Sequence, residues 1–192
     1  MRLARLLACL LTLAGGSAMA GEAQDRPLWA ITGFGGNLLD DVWEDVFLNP
    51  GGLTFEKSYL VGLSVARHIG EPFPGLEFEI EGQVVRYFGG QRHWEFNGPL
   101  LTARWRRFPW SLDTSVAFGI GPSIASETPA LEVQNQGDSR PLMVYWMIEV
   151  DTELPVDNWR LVGRLHHRSP AYGTFGDDGG SNALVLGLRR TF

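Results

Sequence analysis

Leu76-Glu-Phe-Glu-Ile-Glu-Gly-Gln-Val84 decides the fold. Successive side chains of a β-strand point to opposite faces. Leu76, Phe78, Ile80, Gly82 and Val84 therefore share one face, and Glu77, Glu79, Glu81 and Gln83 share the other. The pattern recurs downstream. Leu142, Val144, Trp146, Ile148 and Val150 stand against Tyr145, Glu149, Asp151 and Glu153. Trp159, Leu161, Gly163 and Leu165 stand against Arg160, Arg164, His166 and Arg168. Shorter apolar faces come from Tyr59, Val61, Leu63 and Val65, from Leu112, Val116, Phe118 and Ile120, and from Leu184, Leu186 and Leu188.

Eight such segments are expected, at about 28–36, 57–68, 76–88, 94–106, 111–124, 141–154, 158–169 and 181–192. A soluble sheet also alternates, but its charged face is wet. Here the charged faces carry both signs on different strands. That suits a narrow barrel whose carboxylates and guanidiniums pair inside, with the apolar face turned to lipid. A buried charge without a partner is expensive, so both signs are needed. Glu77, Glu79, Glu81, Glu149, Asp151, Arg164 and Arg168 are the expected network.

The connections support the same architecture. Short turns surround Gly70–Gly75, Arg107–Trp110 and Pro155–Asn158, whereas about 37–56, 125–140 and 170–180 are long. Only the link at about 89–93 breaks the rule. Outer-membrane barrels have short periplasmic turns and longer external loops. Trp29, Phe88, Trp94, Trp105, Trp110 and Trp159 lie near strand ends, as interfacial girdles require. The last strand ends in Phe192, although Arg190 interrupts its apolar face. The expected fold is an all-β, eight-stranded, antiparallel, up-and-down outer-membrane β-barrel. Its interior would be filled by side chains, which argues against an open pore.

The N-terminus gives the route. Arg2 and Arg5, the apolar run Leu6–Leu13 and Ala18-Met19-Ala20 read as a secretory signal peptide over residues 1–20, leaving a barrel domain at 21–192. Removing its two arginines takes the formal charge from −6 to −8. That argues against a nucleic-acid binder, which needs a basic surface. The only cysteine, Cys9, lies in the leader, so the remainder has no disulfide, thiolate metal site or cysteine nucleophile.

One face carries possible chemistry. The apolar side of Leu161–Ser169 ends in His167 and Ser169, two residues apart and pointing the same way. A serine hydroxyl is a poor nucleophile until a neighbouring imidazole takes its proton. With both termini in the periplasm, the pair sits at the external end of the seventh strand, facing the outer leaflet. The plain alternative is an interfacial histidine followed by an ordinary Ser-Pro turn opener. His166 is expected inside, and His68 and His93 as plain polar residues at strand ends. Asp40, Asp41, Glu44 and Asp45 could hold a divalent cation, but their spacing lacks an EF-hand pattern and reads as a solvated loop.

His167-Arg-Ser169, followed by Gly179-Gly-Ser-Asn-Ala-Leu184 and a terminal Phe192, resembles the lipid A 3-O-deacylase family (PagL-like, acyloxyacyl hydrolase-like), in a divergent branch. The clear match covers about the last 35 residues. The resemblance implies an eight-stranded outer-membrane barrel with a Ser-His-Glu site on its lipid-facing surface. Ser169 would be the nucleophile and His167 the general base, acting on lipid A of lipopolysaccharide without a cofactor. A homodimer is compatible with it. The family places an acid about a dozen residues after the serine; here that position is Ser181. Asp178, Asn182 and Asp177 are the nearby substitutes, with Asp178 the first choice as orienting acid and Asn182 the alternative. Pro170 also departs from the family, because proline has no N–H to offer an oxyanion. Ala171 or Gly173 would have to supply that donor. The competing readings are a non-catalytic small outer-membrane barrel with a structural or surface-interaction role, and a soluble lipocalin-type barrel, against which the paired interior charges argue.

Overall fold

Residues 27–176 and 178–192 are described by the computed structural model; the expected leader and Asp177 lie outside them. Eight strands close into one antiparallel barrel in sequence order. They are β1 (Trp29–Leu39), β2 (Phe55–Phe73), β3 (Leu76–Gly89), β4 (Trp94–Trp105), β5 (Thr114–Ala125), β6 (Leu142–Glu153), β7 (Trp159–Ser169) and β8 (Ser181–Thr191). Two short helices interrupt the long loops, α1 (Asp45–Leu48) between β1 and β2 and α2 (Ala130–Gln136) between β5 and β6. The eight expected segments are these eight strands. The largest departure is β2, which continues to Phe73 before a tight turn at Pro74-Gly75, where Gly75 takes φ +86.

The barrel is apolar outside and charged inside. Val61, Leu63, Ile80, Leu101, Phe118, Val150, Leu161 and Leu188 are exposed, while Glu79, Glu81, Arg104, Glu149, Asp151 and Arg164 are buried. Water would favour the opposite arrangement, so this wall is built for hydrocarbon. No helix among the described residues is long and apolar enough to cross a membrane; the crossing is made by strands.

All seven residues of the expected charge network are buried. Arg104 is the hub that the sequence pattern did not show. Its guanidinium reaches Glu149 at 2.7 Å, Asp151 at 2.6 Å and Glu79 at 3.3 Å. Arg164 binds Glu149 at 2.5 Å and Glu81 at 3.1 Å. Arg160 extends the ladder downward to Asp151 at 2.7 Å and Asp113 at 2.9 Å. Strict alternation along β4 hides Arg104 because the strand changes parity at Gly98-Pro99. Glu95 and Asn97 point inward before that point, and Leu100, Thr102 and Arg104 after it. The register against β5 shifts between Asn97 and Leu101. Proline cannot donate to a ladder and is tolerated at such bulges.

Helix α2 seals the outer mouth. Leu131 joins a core of Phe34, Leu38, Leu60, Val85 and Tyr87. The buried Glu132 pairs with Arg168 and accepts hydrogen bonds from Ser139 Oγ at 2.5 Å and Ser181 Oγ at 2.9 Å. The helix stops at Gly137, whose left-handed φ of 88° returns its N–H to the Val133 carbonyl at 2.9 Å.

Candidate functional site on the outer wall

His167 and Ser169 both lie half-buried on the outward face of β7. The register sets His167 between Trp146 on β6 and Asn182 on β8. His167 Nδ1 lies 2.6 Å from Asn182 Oδ1. Asn182 Nδ2 donates in turn to the Asp41 carbonyl at 2.9 Å. That carbonyl only accepts, so the amide NH2 faces it and Oδ1 is turned on the ring. An acceptor at Nδ1 places the neutral imidazole's proton there. Nε2 is left with a free lone pair, which is the tautomer a general base needs.

One aromatic ring packs on the imidazole and a second backs the first. Trp146 lies 4.2 Å from it, centroid to centroid, and Trp43 meets Trp146 edge-on at 5.4 Å. Neither tryptophan is marked by the His-x-Ser spacing. Trp146 is found only through cross-strand register, and Trp43 comes from the first external loop, which folds across the outside of β8. Ser169 makes no hydrogen bond to His167 among the described residues.

The remaining candidates are separated by strand parity. Ser181 pairs with Arg168 and points inward to Glu132, so the family's acid position is turned away from His167. Asp178 is exposed in the β7–β8 loop, and Asn182 makes the contact with the imidazole. After Pro170 the chain makes a left-handed turn, with φ of 51° at Ala171, 53° at Tyr172 and 84° at Gly173. Thr174 N–H closes it on the Ala171 carbonyl at 3.2 Å. The N–H groups of Ala171 and Gly173 donate no hydrogen bond among the described residues.

A groove of about 680 Å³ runs along this wall, with Trp43, Phe118, Trp146 and Ile148 on its apolar side and His167, Ser169 and the Pro170–Gly173 turn on the other. A second, polar cleft of about 290 Å³ opens toward the outside, lined by Asp41, Glu44, Asn135 and Asn182. Trp43 and His167 border both. The imidazole thus stands where an amphiphile would change from hydrocarbon to head group.

His166, one residue away, points inward. Its Nε2 lies 2.9 Å from Glu95 Oε1 and 3.1 Å from the Tyr87 hydroxyl. His93 corrects the expectation of a plain strand-end residue: it is 1% exposed and stacks on Tyr87 at 4.4 Å. Tyr87 belongs to the core that α2 completes with Leu131. Among the described residues no group of three His, Cys, Asp or Glu side chains is placed to hold a metal ion. In the acidic first loop, Asp41 Oδ2 accepts the Thr54 N–H at 2.5 Å.

The sequence matches no family model and no curated protein. Solved structures do resemble the fold. The outer membrane enzyme PagL superposes with a TM-score of 0.57 at 16% identity, over 85% of this chain and 99% of that one. Neisserial surface protein A (NspA) gives 0.49 at 12% identity, over 86% and 97%. The fold is that of an eight-stranded outer-membrane barrel. At such identities the likeness to PagL is one of fold, and the chemistry has to be argued from the residues of this wall.

Proposed function

We propose that this chain is an outer-membrane esterase that removes an acyl chain from lipid A of lipopolysaccharide. Ser169 Oγ attacks the ester carbonyl while His167 Nε2 takes its proton. The imidazolium then protonates the departing sugar alkoxide, and water hydrolyses the acyl-serine by the same base. No cofactor enters the scheme. Asn182 holds the ring, and the free amides of the Ala171–Gly173 turn replace the donor that Pro170 lacks. Export by residues 1–20 to a bacterial outer membrane belongs to the same reading.

The observation that carries it is the contact between His167 Nδ1 and Asn182 Oδ1 at 2.6 Å. It supplies an oriented base beside a serine on a lipid-facing groove. The site lies on the external half of the wall, so an ester in the outer leaflet could be reached without extraction. An asparagine orienting a catalytic histidine has a chemical precedent in Cys-His-Asn proteases.

Mass spectrometry of lipid A tests it, from cells carrying the chain or its Ser169→Ala variant. Loss of one acyl chain only with the intact serine is the expected result. Identical lipid A in both, with the barrel folded, refutes it. That outcome would favour a non-catalytic barrel with a structural or surface role, a reading supported by the amide, rather than a carboxylate, that meets His167 Nδ1.

A further inference from the structure

The outer wall of β7, β8 and β1 carries a feature that the esterase site does not use. Gly33, Gly35 and Gly163 all point outward on strands whose other outward residues are large. None of the three takes a positive φ. A Cβ built at Gly33 would meet nothing within 4 Å, and one at Gly163 only Leu186 at 3.9 Å. Packing therefore does not require glycine at these positions, and glycine weakens a strand. What the glycines create is a trough. Its lower part, about 950 Å³, lies between Ile31, Val61 and Leu188, and its upper part, about 600 Å³, runs under Phe47 and Phe55. Gly35 and Leu186 line both parts, so the trough is continuous along the strands.

The foot of the trough is charged. Arg190 lines it beside Trp159 and Phe192. The register pairs Arg190 with Ile31 on one side and Trp159 on the other. Its guanidinium lies over the Trp159 ring at 5.8 Å. Two strands away Arg67 lies over Trp29 at 5.4 Å. Among the described residues neither arginine has a carboxylate partner. Trp29 and Trp159 lie at the short-turn end of the barrel, the end that loop lengths assign to the periplasm, at the level of an interfacial aromatic belt where phospholipid phosphates sit. Arginine at an interface is suited to bind phosphate.

We propose that this trough is a specific site for one glycerophospholipid of the periplasmic leaflet. An acyl chain lies over Gly33, Gly35 and Gly163, and the phosphate is held by Arg190 with Arg67 on its flank. The occupant follows from the combination: an apolar channel parallel to the strands, in the hydrocarbon zone, ending at guanidiniums that meet no carboxylate among the described residues. The site is on the opposite leaflet from Ser169 and does not depend on the esterase reading.

The test uses the full chain folded in detergent micelles, titrated with phosphatidylglycerol or with diacylglycerol of the same chains, and read by native mass spectrometry. Wild type and Ser169→Ala should each retain one phosphatidylglycerol and little diacylglycerol. Arg190→Gln should bind about tenfold more weakly, and Gly33→Leu, which fills the floor, should bind less as well. Arg86→Gln, at the Arg86–Trp94 pair where β3 meets β4 at the opposite end of the barrel, should leave retention unchanged. Equal retention by Arg190→Gln and wild type, or of diacylglycerol and phosphatidylglycerol, overturns the proposal. Arg190 is exposed and has no carboxylate partner among the described residues, so its variant tests the idea even where Gly33→Leu fails to fold.

Discussion

Asn182→Ala is the sharpest probe of the candidate site. The substitution removes the acceptor 2.6 Å from His167 Nδ1 and the link to the Asp41 carbonyl at 2.9 Å. Trp146, 4.2 Å away, still limits the ring's plane, so the imidazole stays in place but loses its tautomer bias. A single hydrogen bond of this kind is worth about 1–3 kcal/mol. At 1.36 kcal/mol per decade, the rate should fall roughly 5- to 150-fold. Ser169→Ala should instead remove nearly all turnover. The assay is the initial rate of acyl release from lipid A in mixed micelles, with folding verified by the heat-dependent gel mobility of the barrel. Asp178→Asn should stay within about twofold of the parent, since its side chain is exposed and a change without a contact to lose is small. Asn182→Ala at full rate alongside an inactive Ser169→Ala would refute the orienting role. An Asp178→Asn variant that lost activity would give that role back to the carboxylate.

Other expectations follow from the barrel itself. Arg104→Leu should destabilise the fold by about 3–5 kcal/mol, because it takes one guanidinium from Glu79, Glu149 and Asp151 at once and leaves Arg189, Arg164 and Arg160 to balance them; urea unfolding in micelles reads this, and a shift under about 1 kcal/mol would contradict the network. Gly62→Val should cost about 1–3 kcal/mol by overpacking, since a Cβ there would lie 2.3 Å from Phe34 Cζ; an unchanged unfolding midpoint would show that the Phe34 ring moves freely. Trp43→Ala should raise KM for an acylated substrate more than it lowers kcat, because it opens one wall of the groove and leaves the His167–Asn182 contact intact. Asp113 lies in the β4–β5 turn, outside the membrane, and the hydrogen bond from Arg160 holds its carboxyl below the usual aspartate range. A lowered folded value means its stabilisation is present above the unfolded pKa of about 3.9 and is lost as pH falls through the folded value. Asp113→Asn should therefore differ from the parent at pH 6 and converge with it in acid. The difference should be small, since the Asp113 side chain is 48% exposed and solvent screens the pair.

The sequence alone determined the strands, the barrel and the outward position of His167 and Ser169, because these rest on a period of two that survives in the one-dimensional pattern. Glu77, Glu79 and Glu81 could be placed inside for the same reason. What it could not determine is pairing. Arg104 was hidden because the bulge at Gly98-Pro99 reverses parity, which shows only when β4 is laid against β3 and β5. The choice among Asp178, Asn182 and Ser181 depended on the register of β8: a shift of one residue exchanges the face that meets His167 for the face that meets Glu132. Trp43 and Asp41 reached the site through a loop that crosses a strand far from it in sequence. Alternation fixes which side a residue faces, whereas closure of the barrel and the path of its loops decide which residues touch.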